Sequence, residues 1–309
     1  GRREEAGVAL AAELRALGAQ AEFLRADVRI EGEVRSLVEQ TVERFGRLDM
    51  AVNNAGTEGQ LGPITGQSVD TEATVTIGGY ATPAVFNLTG GGGQRDWNTN
   101  GGHGLVTVLA GGTVNVGRTL NMGNNSDADS GLELTINGGT VNIGAAVAGN
   151  LDYRNGGPKD QINLQAGTLN LNGGTIFLRD ASAGQFSFTG GRLLNVGVFN
   201  GTLIQAGGTL APGGSAGTTT INGGYTQLAG GTLEMELTLT GNDLLVVNGP
   251  VDLAGQLVLL ADYDVPENAH ILLIDSDEAI SGQFENLPEG TWFGVPGVTA
   301  SFAITYAGG

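Results

Sequence analysis

Residues 138–144 read Gly-Gly-Thr-Val-Asn-Ile-Gly, and this stretch decides the fold of most of the chain. A Gly pair allows a corner with positive φ, and the alternation of aliphatic and polar residues after it predicts a strand with one buried face. The same unit, a Gly pair followed by Thr and an aliphatic residue, recurs along the chain. Its copies begin at Gly111, Gly138, Gly173, Gly207 and Gly230, with weaker copies at Ala166 and Gly190.

The spacing of the unit indicates a repeat architecture. Its third position falls at Thr113, Thr140, Thr168, Arg192, Thr209 and Thr232, at intervals of 27, 28, 24, 17 and 23 residues. A loose period of this size is typical of a solenoid, in which each coil packs on its neighbours. We predict a mainly β fold, a right-handed parallel β-helix of about six to eight coils over residues 73–240. Inward-facing Asn residues at matching positions are expected to form ladders between coils.

The composition of the chain divides near residue 60. Residues 1–60 contain 8 of the 14 Lys and Arg residues and 11 acidic residues, a net charge of -3 (8 - 11). The other 249 residues contain 6 basic and 21 acidic residues, a net charge of -15 (6 - 21), and no Lys or Arg follows Arg192. This balance excludes a basic nucleic-acid binder, because phosphate neutralisation requires clustered Lys and Arg. No apolar run is long enough to predict a membrane span.

The N-terminal segment has the pattern of an α/β protein. Apolar residues at helical spacing predict helices over residues 3–18 and 31–45, ended by Gly18 and Gly46. Short apolar runs predict strands over residues 21–28 and 48–52. Helices alternating with strands predict parallel pairing with right-handed crossovers.

Three short motifs in this segment resemble the short-chain dehydrogenases/reductases. They are Asp27-Val28 after the first predicted strand, Gly-Arg-Leu-Asp at residues 46–49, and the tetrapeptide Asn53, Asn54, Ala55 and Gly56. The resemblance implies a partial Rossmann-like fold in which Asp27 and Val28 contact the adenine ring and residues 53–56 line the adenosine side of the cleft. Arg2 and Arg3 lie where NADP-preferring members bind the ribose phosphate, and a guanidinium suits that role.

The same resemblance predicts that the cofactor site is incomplete. The Gly-rich phosphate-binding turn of the family would lie before Gly1, and its Tyr-x-x-x-Lys motif is not found in the sequence. Lys159 is the only Lys, and Asn155 stands four residues before it. Without that Lys the proton transfer of the family lacks its acid. We expect no functional cofactor, although NADP(H) or NAD(H) would be implied if the domain were complete.

The C-terminal part carries a second resemblance. Residues 208–215, 219–225 and 243–249 are similar to the passenger region of autotransporters, which is exported to the cell surface. That resemblance implies an extracellular or cell-surface location and brings no catalytic residues with it. We predict three segments: a dehydrogenase-like α/β fragment at 1–68, a parallel β-helix at 69–240, and a β region ending the solenoid at 241–309.

Metal and catalytic sites are only weakly indicated. Asp127 and Asp129 lie in a sequence that partly follows a Ca²⁺-binding loop, but it lacks the Gly and the bidentate Glu of that loop, so a solvated loop between coils explains it better. Glu234 and Glu236 share a strand face and form a carboxylate pair, which a solvated face also explains. A looser acidic region follows at Asp262, Asp264, Asp275, Asp277 and Glu278.

Two functional hypotheses remain open. The first is a non-enzymatic, exported or cell-surface structural or adhesion protein, with extracellular glycan or protein contacts and weak Ca²⁺ binding. The second is an NAD(P)-dependent short-chain oxidoreductase, present as a fragment or fusion, which acts on a carbonyl or alcohol and implies a cytoplasmic location. The absence of Cys fits both.

Overall fold

The structure is a computed structural model in which the chain divides into two compact units, Gly1–Gln67 and Ser68–Gly309. It describes residues 4–27, 30–48, 72–79, 83–88, 95–97, 103–122, 131–144, 148–154, 160–179, 185–213, 216–266, 268–285 and 287–306. The fold is mainly β, as predicted, with a parallel β-solenoid in the second unit and the dehydrogenase-like segment in the first.

The first unit contains two helices, α1 (Glu4–Ala16) and α2 (Glu31–Phe45). Gly46 ends α2 in the left-handed conformation, with φ of 76°, and its N–H donates to the carbonyl of Val42. The predicted strand at 21–28 is wrong for its described residues 21–27, which form no strand. A strand needs a neighbour for its backbone hydrogen bonds, and none lies among the described residues of this unit. The predicted strand at 48–52 lies outside the described residues apart from its first position.

The apolar faces of these helices are exposed. In α1, Val8, Leu10 and Leu14 retain 49%, 56% and 40% of their accessible surface, and in α2 Val42 retains 42%. Ala11 is buried. In an α/β fold such faces pack on a sheet, and the described residues of this unit supply none. The two predicted helices are therefore confirmed, but the surface on which their apolar faces would pack is not in the described part of this unit.

The second unit is built from strands. They are β1 (Glu72–Ile77), β2 (Ala84–Leu88), β3 (Arg95–Trp97), β4 (His103–Leu109), β5 (Gly112–Val116), β6 (Leu120–Met122), β7 (Gly131–Ile143), β8 (Leu151–Asp152), β9 (Gln161–Phe177), β10 (Phe186–Asn200), β11 (Leu203–Ala211), β12 (Thr218–Asn222), β13 (Tyr225–Gln227), β14 (Gly231–Thr238), β15 (Gly241–Asn242), β16 (Leu244–Val247), β17 (Val251–Leu253), β18 (Gln256–Ala261), β19 (Ile274–Ser276), β20 (Ile280–Gly282), β21 (Trp292–Gly294) and β22 (Ser301–Ala303).

Parallel pairing arranges these strands in three columns. The first column joins β1, β4, β7, β9, β10, β11, β13, β17 and β20. The second joins β2, β5, β7, β9, β10, β11, β14 and β18. The third joins β3, β6, β8, β9, β10, β12, β16 and β19. Over residues 73–240 the chain makes about six turns, and parallel pairing continues beyond them.

The repeat unit fixes the register of the second column. Its third positions pair in sequence, from Thr113 with Thr140 through Thr168, Arg192 and Thr209 to Thr232. The residue after each of them points inward. These residues, each at most 1% exposed, are Val114, Val141, Leu169, Leu193, Leu210 and Leu233. Full burial of such a side chain contributes roughly 1.5–3 kcal/mol, so this row stabilises the stack along its length.

Asparagine ladders form, but on the outer face. Asn115 Nδ2 donates to Asn87 Oδ1, and Asn142 Nδ2 donates to Asn115 Oδ1, both at 2.9 Å. A second ladder joins Asn200, Asn222 and Asn248 at 2.7 and 2.8 Å. The predicted inward direction was wrong, because the alternation along each strand gives the inward positions to the aliphatic residues on either side.

Glutamines, by contrast, do enter the core. Gln205 and Gln227 are fully buried beside Tyr225. The Gln205 side-chain amide donates to the carbonyls of Gly208 and Thr232, and its Oε1 accepts the Tyr225 hydroxyl at 2.6 Å. Every polar atom of this glutamine is thus used to join coils, which offsets the cost of its burial.

The C-terminal residues cover the last coils. The antiparallel hairpin of β21 and β22 packs, through Phe293 and Phe302, against the solenoid core. The Tyr306 hydroxyl accepts from the Phe284 N–H at 3.0 Å and donates to the carbonyl of Leu287 at 2.7 Å. This segment brings Pro296 close to β14 and β18.

Candidate functional site

The predicted cofactor residues lie mostly outside the described part of the chain. Arg2, Arg3, Val28 and the tetrapeptide from Asn53 through Asn54 and Ala55 to Gly56 are not described. Asp27 is described and is 8% exposed. Its backbone N–H donates to Glu33 Oε2 at 2.7 Å, which ties it to the first turn of α2. The assignment of these residues to a cofactor stays a prediction.

The weak calcium candidates Asp127 and Asp129 also fall outside the described residues. Within the described ranges, no group of three or more His, Cys, Asp or Glu side chains could hold a metal ion. In the later acidic region, Asp264 accepts hydrogen bonds from the Thr299 N–H and hydroxyl, both at 3.0 Å. These bonds lower the pKa of Asp264 and anchor the C-terminal segment.

Several charged groups of the solenoid are bonded within it. Asp160 Oδ1 accepts the Leu132 N–H at 2.6 Å, which joins two coils. Asp152 accepts from the Arg154 backbone and guanidinium. Burial opposes ionisation of Asp152, but the hydrogen bonds and charge of Arg154 outweigh it and lower the pKa. Arg154 also lies 4.0 Å over the ring of Phe177.

A groove of about 380 Å³ lies along β14 and β18. Pairing of Glu236 with Leu260 and of Leu237 with Ala261 brings the two strands together. The lining residues are Glu236, Leu237, Thr238, Val258, Leu259, Leu260, Ala261, Asp262 and Pro296. The lining is therefore largely apolar, with two carboxylates beside it.

Buried and ionised groups next to this groove change its electrostatics. Asp243 is 1% exposed and accepts the N–H groups of Gly217 and Glu236, both at 2.8 Å. Burial raises the pKa of Asp243 despite these bonds. Burial, and then the charges of Asp243 and Glu234, raise the pKa of Glu236. The hydrogen bonds and charge of Glu234 raise the pKa of Arg192, its partner.

This arrangement favours binding over covalent catalysis. The lining offers two carboxylates and the hydroxyl of Thr238, which donates to the carbonyl of Gly241 at 3.0 Å. A nucleophile activated by an adjacent base is not found among these lining residues. What they do offer is negative charge beside an apolar wall.

Sequence reasoning identified Glu236 and Asp262 as acidic positions but did not place them together. They lie close together because β14 pairs with β18. Of these two strands, only β14 begins at a copy of the repeat unit. Asp243 and Pro296 were missed as neighbours of the groove. The one available signal was the hairpin of β14 and β15, which turns at Leu239 and returns Asp243 to Glu236.

Comparison with known proteins bears on the first unit. Residues 1–87 match the family described as short chain dehydrogenase. An L-fucose dehydrogenase of Oryctolagus cuniculus is 51% identical over 61 residues, which are 20% of this chain and 20% of that protein. A 3beta-hydroxysteroid dehydrogenase of Mediterraneibacter gnavus is 42% identical over 59 residues, 19% of this chain and 21% of that protein. An A-factor type gamma-butyrolactone 1'-reductase of Streptomyces virginiae is 60% identical over 53 residues, 17% of this chain and 20% of that protein.

These matches support the resemblance of the N-terminal segment and limit it. The chain spans about a fifth of the length of the curated relatives it matches. The family match runs past Gln67, where the first unit ends, and includes β1, which pairs within the solenoid. No solved structure gave a significant match. In the described residues, no helix has the length and hydrophobicity to cross a membrane.

Proposed function

We propose that the chain is a non-enzymatic structural or adhesion-type protein of the cell surface or extracellular space. The observation that carries this proposal is how the solenoid uses its charged groups. Asp160, Asp243 and Asp264 bind backbone N–H groups of the solenoid unit, and Arg192 binds Glu234. Charges that join coils to one another and to the C-terminal segment suit a scaffold, and we expect no complete catalytic set because the sequence holds no Tyr-x-x-x-Lys.

Composition and resemblance support the location. The net charge of -15 on the 249 residues after residue 60 favours solubility. The similarity of residues 208–249 to autotransporter passengers implies export. The family match lies in residues 1–87, so this second resemblance remains a proposal.

Protease accessibility on intact producing cells tests the location. Intact and lysed cells are treated with the same protease, and the chain is detected with an antibody against the solenoid. We expect cleavage or loss from intact cells while a cytoplasmic marker stays protected. Protection equal to that of the marker would contradict an extracellular or surface location.

A second candidate function is an NAD(P)-dependent short-chain oxidoreductase. The match of residues 1–87 to the dehydrogenase family favours it, as do relatives named as dehydrogenases and a reductase. Its cofactor residues would be Asp27 and the others implied by the resemblance, with NADP(H) or NAD(H) as the cofactor.

Fluorescence titration of the full chain with NADPH and NADH separates the two functions. We expect no saturable change, because the sequence holds no Tyr-x-x-x-Lys and the match covers a fifth of each relative. Saturable binding that is lost in Asp27→Ala but kept in the surface variant Glu39→Gln would support the oxidoreductase and overturn the first proposal.

A further inference from the structure

The groove along β14 and β18 combines an apolar lining with two carboxylates that have no bonded partner among the described residues. Val258, Leu260 and Pro296 belong to the apolar lining, and Leu260 is 44% exposed. Among the described residues, no side-chain hydrogen bond or ion pair involves the carboxylate of Glu236 or of Asp262. We propose that this groove binds a lysine side chain of a partner polypeptide.

Charge complementarity identifies the occupant as a cation. The carboxylates of Glu234, Glu236, Asp243 and Asp262 interact around the groove. Among the described residues, Arg192 is the cation that acts on Glu236, and its guanidinium is engaged in two hydrogen bonds to Glu234. The sequence contains no Lys or Arg after Arg192. The negative charge at the groove is therefore left for a cation from another molecule.

The apolar wall distinguishes a lysine from a metal ion. A hard cation such as Ca²⁺ takes six to eight oxygen ligands, and the described residues offer no group of three or more metal-binding side chains. A lysine has an aliphatic stem that packs along apolar surface while its ammonium stays at the edge, beside carboxylates. The volume of about 380 Å³ is at the small end for ligand sites, which suits one side chain and its flanking backbone.

Binding of an ammonium group should couple to protonation of the groove. Burial and the charges of Asp243, Glu234 and Asp262 raise the pKa of Glu236, and the charge of Arg192 lowers it. A bound cation favours the ionised carboxylate, so binding weakens as pH falls through the titration of Glu236. This inference rests on the groove alone and does not depend on the location or enzymatic status of the chain.

Methyl NMR titration of the full chain with the peptide acetyl-Leu-Lys-Leu-amide tests the proposal. We expect saturable shifts of the Leu260 and Val258 methyl groups, and about tenfold weaker binding in each of Glu236→Gln and Asp262→Asn, as for loss of a charge-assisted bond. The matched variants Glu278→Gln and Asp277→Asn make the same charge change away from the groove lining. They should change the affinity by less than about twofold.

Three outcomes would overturn the proposal. One is equal affinity for the peptide whose lysine is acetylated, since acetylation removes the charge. Another is an equal loss of peptide affinity in the matched variants, which would mean that the peptide responds only to the net charge of the chain. The third is absence of saturable shifts in a wild-type chain whose far-ultraviolet circular dichroism and cooperative thermal transition show that it is folded.

Discussion

The guanidinium of Arg192 donates two hydrogen bonds to the carboxylate of Glu234, 42 residues further along the chain, with Nη1 lying 3.0 Å from Oε2. Arg192 occupies the third position of a repeat unit and pairs with Thr168 on one side and Thr209 on the other. Glu234 lies two residues after Thr232, the third position two coils later. One ion pair therefore joins the coil of β10 to the coil of β14 across the intervening β11.

Replacing Arg192 with Thr, the residue of its neighbours in the column, should destabilise this part of the solenoid. The side chain of Glu234 is 15% exposed and would lose its partner, while that of Arg192 is 36% exposed, so solvent screens part of the effect. We expect a loss of about 1–2 kcal/mol in local stability, measured by hydrogen exchange of the β11 amides.

The double variant Arg192→Thr with Glu234→Thr provides the control. It removes both charges, so no carboxylate is left unpaired, and its loss should be smaller than that of Arg192→Thr alone. Equal losses in the two variants would contradict a cost for the unpaired carboxylate of Glu234.

Among the polar residues of the core, truncation of Gln205 should lower the free energy of unfolding most. Gln205→Ala leaves the Tyr225 hydroxyl and the carbonyls of Gly208 and Thr232 without their partner and opens a cavity. We expect a loss of about 3 kcal/mol in the free energy of unfolding, measured by urea denaturation. Gln256→Ala, the same change at an exposed position, should cost less than about 0.5 kcal/mol. A comparable loss in both would contradict the buried network.

Gly173 and Gly174, the Gly pair at the corner of β9, require glycine for different reasons: backbone conformation at Gly173 and space at Gly174. In Gly174→Ala the new Cβ would collide with the carbonyl oxygen of Gly149 on the preceding coil. Gly173 has φ of 82° and nothing within 4 Å of its added Cβ, so Gly173→Ala costs backbone strain alone. We expect about 1 kcal/mol for Gly173→Ala and more than about 3 kcal/mol for Gly174→Ala, from thermal unfolding. The reverse order would contradict the close approach of the coils.

Acidification should act on stability through Glu236. Its pKa is raised in the folded chain, so its protonated form favours folding, and this contribution is lost as pH rises from the ordinary value of 4.5 through the folded pKa. Glu236→Gln removes the titration. Relative to the wild type, the variant should be more stable at pH 7 and show no such advantage at pH 4, by thermal unfolding at both pH values.

The comparison with Glu236→Gln is needed because other carboxyl groups act in the opposite direction. Asp152, Asp264 and Glu289 have lowered pKa values, so they lose stabilisation as pH falls. These groups affect both proteins equally. A constant difference between variant and wild type from pH 7 to pH 4 would contradict a raised pKa at Glu236.

The sequence alone predicted the stacking of the second column in detail. Thr113, Thr140 and Thr168 pair as their spacing implied, because a Gly corner followed by alternating residues leaves one register that buries every aliphatic side chain. The Arg at position 192 did not disturb this register, since its side chain lies on the outer face and finds Glu234.

Other features depended on contacts that a linear pattern does not contain. The asparagine ladders were predicted on the wrong face: Asn115 lies on the outer face because Val114 and Val116, on either side of it, take the inward positions. The groove requires Pro296 to approach β18 from a segment outside the repeat. The strand predicted at 21–28 had the composition of a buried strand, but strand formation also requires neighbours.

Cysteine cross-linking tests the central claim, that the repeat units stack in register as a solenoid scaffold. The chain has no Cys, so a pair introduced at Thr140 and Thr168 forms the one possible disulfide. Those two residues are paired neighbours, whereas Thr209 lies three coils after Thr140, about 14 Å away. Bridging requires Cα atoms within roughly 7 Å. We predict that mild oxidation closes Thr140→Cys with Thr168→Cys in the monomer and leaves Thr140→Cys with Thr209→Cys as free thiols. Cross-linking of the distant pair, or none in the adjacent pair, would contradict the account.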